Sequence, residues 1–134
     1  MGLKYVVDTH ALIWFQEGNS RLGKNARAIL SDPASELVIP IIVLAEAVYV
    51  IEKGRTKIPS VAEMMSDVVD DARIEIYPLT LEILQQSQLA LNVPEMHDRL
   101  IVATALHLQN LGCRIGLLTK DPEIVDAALV PTVW

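Results

Sequence analysis

Four acidic residues stand where a folded chain does not leave a charge without compensation. Asp8 directly follows the apolar run Val6-Val7. Asp121 follows Gly116-Leu117-Leu118-Thr119-Lys120 and precedes Pro122. Glu46 sits in a helix-like segment where the positions three and four away are Ile42, Val43, Tyr49 and Val50. No Lys or Arg lies within four residues of it. Asp98 opens HDRLIVATALHLQNLG, with Ile101, Val102 and Ala105 three, four and seven residues on, so it points toward the apolar stripe. A buried lone carboxylate must be paired, protonated or bound to a cation. Four of them together need a counter-charge. Oxygen ligands of this kind suit Mg²⁺ or Mn²⁺ rather than zinc. Such ions, alone or in pairs about 4 Å apart, activate water and neutralise a phosphodiester during hydrolysis.

Each acid also has a plainer reading. Asp8 and Asp121 are good helix N-caps, the second before a proline that opens a helix. Asp98 favours the positive end of its own helix dipole. Glu46 needs a salt bridge, and its own helix provides none. Glu52, by contrast, has Arg55 and Thr56 ahead of it and reads as ordinary surface.

The elements that must position these acids alternate. Strands are expected at Lys4–Asp8, Glu36–Ile39, Arg73–Tyr77, Ile115–Thr119 and, last, Val130–Trp134. Helices are expected at His10–Gln16, Leu22–Leu30, Ile41 to about Lys53, Pro59–Ala72, Thr80–Leu91, His97–Leu111 and Pro122–Ala128. Pro59 is read as the opening residue of its helix and Thr80 as an N-cap. This alternation predicts right-handed crossovers and a mainly parallel α/β sheet of 4–5 strands with helices on both faces. Such sheets bind ligands outside the carboxyl ends of their strands. Asp8 and Asp121 both fall there.

The chain has 134 residues, read as one domain over 1–134. With 51% apolar and 21% charged residues it is not a disordered chain. Cys113 is the only cysteine, so an intrachain disulfide and a cysteine zinc cluster are excluded. That suits a reducing compartment, and a cytoplasmic location is expected. No signal peptide is expected at the N-terminus. The longest apolar stretch, Leu37 to Ile51, is broken by Pro40 and Glu46 and is shorter than the roughly 20 residues of a membrane span.

Net charge is −6, from 11 basic and 17 acidic residues. Taken whole, this argues against a nucleic-acid partner. Setting the four acids aside leaves 13 against 11, a net of −2. Arg21, Lys24, Arg27, Arg55, Lys57 and Arg99 are then candidates to hold a phosphate backbone. Their grouping depends on the fold.

The chain resembles the PIN-domain nucleases, and among them the VapC-like toxins of bacterial toxin–antitoxin pairs, nearly end to end. VVDTHALIW is similar to the first motif of that family, with Asp8 as its acid. IPIIVLAEA resembles the second with Glu46, HDRLIVATAL the third with Asp98, and LLTKD the fourth with Asp121. Thr119 matches the hydroxyl often found two residues before the last acid, and VPTVW resembles the closing strand. One departure is Met96-His97, where relatives more often carry Pro-Phe. The resemblance implies a three-layer sandwich and a Mg²⁺- or Mn²⁺-dependent ribonuclease acting on RNA. It implies a cognate antitoxin over the acidic groove and a homodimer. It makes Asp8, Glu46, Asp98 and Asp121 the metal ligands, with Thr119 orienting an aspartate or a water. The rival class is a PIN-fold binding module without catalysis, and the presence of all four acids favours the enzyme.

Other families are excluded by pattern. His97-Asp98 is reminiscent of helical phosphohydrolases, but the strand alternation opposes that fold. A haloacid-dehalogenase nucleophile motif needs an acid where His10 stands. His10 and His97 lie near proposed site residues. His107 is nine residues past Asp98 and should lie away from them. Glu63, Asp67, Asp70 and Asp71 read as a solvated helix face.

Overall fold

A computed structural model of the chain describes residues 2–134. The elements are β1 (Leu3–Val7), α1 (Thr9–Glu17), α2 (Lys24–Ser31), β2 (Glu36–Pro40), α3 (Ile41–Glu52) and α4 (Val61–Val69). They continue with β3 (Ile74–Tyr77), α5 (Leu81–Gln86), α6 (Met96–Asn110), β4 (Arg114–Leu118), α7 (Pro122–Ala127) and β5 (Thr132–Val133). All strand pairs are parallel, and the order across the sheet is β3-β2-β1-β4-β5.

That order follows from the apolar runs. Val6-Val7, Leu37-Val38-Ile39 and Leu117-Leu118 are all buried, as strands covered on both faces must be. The chain steps outward from β1 to β2 and β3, then crosses back to add β4 and β5. Right-handed crossovers in the two directions place helices on opposite faces and complete the sandwich. The reversal happens beside β1. The carboxyl ends of β1 and β4, joined in register at Val7 and Leu118, therefore form the crevice where a parallel sheet keeps its ligand. Among helices, α6 has the most continuous buried run, from Leu100 to Ala105 with Leu108.

Most boundaries shift by one to three residues, and three of the differences have a plain local cause. The α4 helix starts at Val61, not Pro59, because Ser60 caps it: the Ser60 hydroxyl accepts from the Glu63 N–H at 3.1 Å. The α5 helix stops at Gln86 rather than Leu91. The buried Ser87 hydroxyl donates back to the Leu84 carbonyl (2.5 Å), and the chain tightens into a 3₁₀ turn at Ser87–Leu89. The last strand shrinks to Thr132–Val133, since Pro131 offers only its carbonyl, which accepts from the Leu117 N–H (2.9 Å).

Close packing explains two glycines. A Cβ on Gly23 would fall 2.4 Å from the Trp134 carbonyl carbon, so the terminal residue seats directly on the start of α2. A Cβ on Gly116 would lie 3.0 Å from the Tyr5 ring across the β1–β4 pair.

Candidate active site

Asp8 leaves β1 as the N-cap of α1 and is buried. Its Oδ1 accepts from the Thr9 N–H (2.6 Å) and its Oδ2 from the Thr119 hydroxyl (2.6 Å). The Asp8 N–H donates to the Leu118 carbonyl at 3.2 Å, which ties the start of the site to the end of β4. Burial pushes the Asp8 carboxyl up, against the two bonds that favour its charge. Thr119 is buried as well, and its oxygen also accepts from the Asp121 N–H (3.1 Å). One hydroxyl thus fixes an acid from each strand end.

Asp121 caps α7, accepting from the Glu123 N–H at 2.9 Å. The cap of α6 is Glu95, whose Oε2 accepts from the Asp98 N–H (3.0 Å). The Asp98 side chain is thereby left free to turn inward. Asp98, Asp121 and Glu123 each present an oxygen within 4.8 Å of the others. Partial burial, with the charges of Asp121 and Asp8 beside it, pushes the Asp98 carboxyl up to about 8.

Glu46 stands apart from that trio and joins through Thr9. The Thr9 hydroxyl donates to Glu46 Oε1 at 3.0 Å, one residue from Asp8. Burial pushes Glu46 up; the Thr9 bond opposes this, and the charges of Asp8 and Glu95 add to it. Its surroundings differ from the sequence reading. The core face of α3 is Val43, Leu44 and Ala47, whereas Tyr49 is exposed and Glu46 half-buried at the border. A hollow of about 410 Å³, lined by Ala45, Glu46, Tyr49, Val50 and His97, opens beside it.

The structure therefore brings Asp8, Asp98, Asp121 and Thr119 together and holds Glu46 at the flank. Thr9, Glu95 and Glu123 were not singled out in the sequence. Glu123 could have been, two residues past Asp121 in a helix's first turn. Thr9 could not, because its role depends on α1 packing against α3. His97 pairs with Glu95 (3.0 Å), and His107 meets Tyr77 edge-on at 6.0 Å. Among the described residues, no Lys or Arg forms a salt bridge with any of the four acids. Crowded carboxylates, raised affinities for protons and an all-oxygen donor set fit a hard divalent cation.

The family model of the PIN domain matches residues 5–129. The chain belongs to the PIN domain family. No curated protein matches in a sequence search. Solved structures similar to this PIN domain include a toxin–antitoxin complex from Klebsiella pneumoniae, at 19% identity and a TM-score of 0.66. That match covers 98% of this chain and 97% of the other. A DNA-bound VapBC from Salmonella typhimurium aligns at 14% identity and a TM-score of 0.65, covering 98% of each chain. VapBC2 from Rickettsia felis, bound to a promoter DNA fragment, gives 15% identity, a TM-score of 0.65 and the same coverage. At such identities the likeness is one of fold. Among the described residues, no helix of this PIN domain is long and apolar enough to cross a membrane.

Proposed function

We propose that residues 1–134 act as one PIN domain that hydrolyses RNA phosphodiester bonds as the toxin of a toxin–antitoxin pair. The observation that carries this reading is the cluster of Asp98, Asp121 and Glu123 beside the ends of β1 and β4, with Asp8 joined to it through Thr119 and Glu46 through Thr9. Asp8, Asp98 and Asp121 would hold Mg²⁺ or Mn²⁺, and Glu46 would do so directly or through water. Held by these carboxylates, such an ion would supply an activated water and compensation for the charge on the phosphodiester.

The chain's own residues do the positioning. Thr119 holds the Asp8 carboxylate by its Oδ2 and the Asp121 backbone by its N–H, so the two acids move as one unit. Thr9 holds Glu46 against the same end of α1. Glu95 occupies the cap of α6 and leaves the Asp98 carboxylate for the site. Such fixed rotamers are what keep a reacting phosphate and its nucleophile within attacking distance.

An antitoxin protein as partner is supported by the neighbours described as toxin–antitoxin and VapBC complexes. A homodimer and a cytoplasmic location belong to the same proposal. The test is RNA cleavage with Mn²⁺ by the wild type, Asp8→Asn and Glu46→Gln. Wild-type cleavage that falls at least a hundredfold in Asp8→Asn supports the reading. Cleavage indifferent to both substitutions, or a wild type inert on many RNAs, overturns it.

A further inference from the structure

The molecule is acidic overall, yet several bases outside the salt bridges of the described residues line one cleft. A cleft of about 580 Å³ runs between α1 and the loop that joins α3 to α4. Arg21, Arg55, Lys57 and His10 line it, and all four are exposed. Trp14 forms its floor. Lys120 Nζ lies 4.7 Å from the Trp14 ring centroid and Arg21 Cζ 5.7 Å, so the indole holds both cations by its face. His10 packs on the same indole at 5.2 Å. Among the described residues, none of these cations is in a salt bridge.

The cleft is built rather than incidental. Glu17, at the end of α1, accepts from the Thr56 hydroxyl (2.7 Å), the Lys57 N–H (2.8 Å) and Asn19 Nδ2 (3.0 Å). Burial works against its charge, but these bonds outweigh burial and hold the carboxyl below its ordinary range. Glu17 is therefore consumed in pinning the loop that carries Arg55 and Lys57. The cleft and the cup also share a rim. His10 is two residues from Asp8, and Lys120 lies between Thr119 and Asp121. Other bases serve elsewhere. Arg27 donates to the Asn19 carbonyl and Arg99 to those of Val93 and Leu91.

We infer that this cleft seats the phosphates of a single-stranded polynucleotide beside the cup, with Arg21, Arg55 and Lys57 as the phosphate contacts. The choice of ligand rests on the nuclease reading. Spaced cations with no partner, leading to a cup of carboxylates, match a chain of phosphates. The cup repels phosphates and an acidic protein segment alike, so it is the nuclease reading that selects the polynucleotide. Each phosphate contact on a single strand adds about 0.7 to the slope of log affinity against log salt. Three contacts add about 2, or roughly a hundredfold between 1 M and 0.1 M salt.

The test is fluorescence anisotropy of labelled single-stranded oligouridylate in EDTA, across a salt series. EDTA separates binding from cleavage. The triple variant Arg21→Ala/Arg55→Ala/Lys57→Ala should lose roughly a hundredfold in affinity at about 0.1 M salt and about 2 from the slope. The triple Arg21→Lys/Arg55→Lys/Lys57→Arg should keep the slope, which guards against misfolding. Arg114→Ala, at the opposite end of the sheet, should leave it unchanged. An unchanged slope in the alanine triple, or an equal loss in Arg114→Ala, overturns the inference. So does a triple that loses affinity only for poly-glutamate, which would assign the cleft to an acidic protein. If the slopes behave as stated while no RNA is cut with Mn²⁺, the cleft stands and the nuclease reading falls. If RNA is cut and the slopes do not move, the reverse holds.

Discussion

Asp98→Asn should make the chelator-treated protein more stable, and only above acidic pH. Burial and the charges of Asp121 and Asp8 carry the Asp98 carboxyl from 3.8 to about 8. A carboxyl raised on folding binds its proton more tightly in the folded state. Its contribution is therefore fully present below the unfolded value near 3.8 and is lost as pH rises through about 8. Full conversion, at about 1.4 kcal/mol per pH unit over about 4 units, gives about 6 kcal/mol. Asp98 is only half withdrawn from water, and solvent screening reduces this to roughly 1–2 kcal/mol. Asparagine keeps the shape and removes the charge. In EDTA at pH 8.5 the variant should melt about 5 °C above wild type, with the gap closing by pH 4. Added Mn²⁺ should reverse the order, because a ligand of the folded state raises stability by mass action and the variant has lost a donor. Differential scanning calorimetry over pH 4–8.5, with and without Mn²⁺, reads all of this. A variant less stable than wild type in EDTA at pH 8.5, or a gap constant with pH, would refute the crowding of charge at this site.

Three further outcomes follow from particular contacts. Thr119→Val removes the hydroxyl that Asp8 and the Asp121 N–H share, so it should cost about 1–3 kcal/mol by urea denaturation and lower RNA cleavage more than Thr119→Ser does. Arg73→Met should cost about 1–3 kcal/mol, since Arg73 bonds Asp71 and the carbonyls of Leu30 and Asp32. The Arg73 guanidinium holds Asp71 below its usual 3.8, so the stability from this pair is present above that pH and lost as pH falls through the depressed value. Acid titration of the Arg73→Met protein should lack that part of the loss. Gly23→Ala should displace Trp134 and cost about 1–3 kcal/mol, visible as a changed tryptophan emission, because Trp134 also meets Trp14 edge-on at 5.8 Å.

How much was legible in the chain can be judged residue by residue. Asp8 and Asp121 were readable because a strand end is a local event, marked by Val6-Val7 and Leu117-Leu118. That both also serve as N-caps shows that the plain and the chemical readings were not rivals. Glu46 was singled out for lacking a partner on its own helix. Its true partner, Thr9, is 37 residues away and appears only once α3 lies on α1. Glu95 was hidden for a different reason: a glutamate cap is unusual, and nothing in its own residue type marks it as one. Asp71 was grouped with a solvated face, but Arg73 folds back onto it beyond the end of α4. The six bases could not be sorted in advance. Arg27 and Arg99 spend their donors on nearby carbonyls, while Arg21, from the α1–α2 connection, meets Arg55 and Lys57 of the α3–α4 loop at one cleft.

The most direct measurement is anomalous diffraction from crystals soaked in Mn²⁺, recorded at the manganese edge. The account predicts a peak bounded by the carboxylates of Asp8, Asp98 and Asp121, on the side of α1 where Thr9 holds Glu46. No peak at millimolar Mn²⁺, or one bound elsewhere while these carboxylates stay unligated, would contradict it.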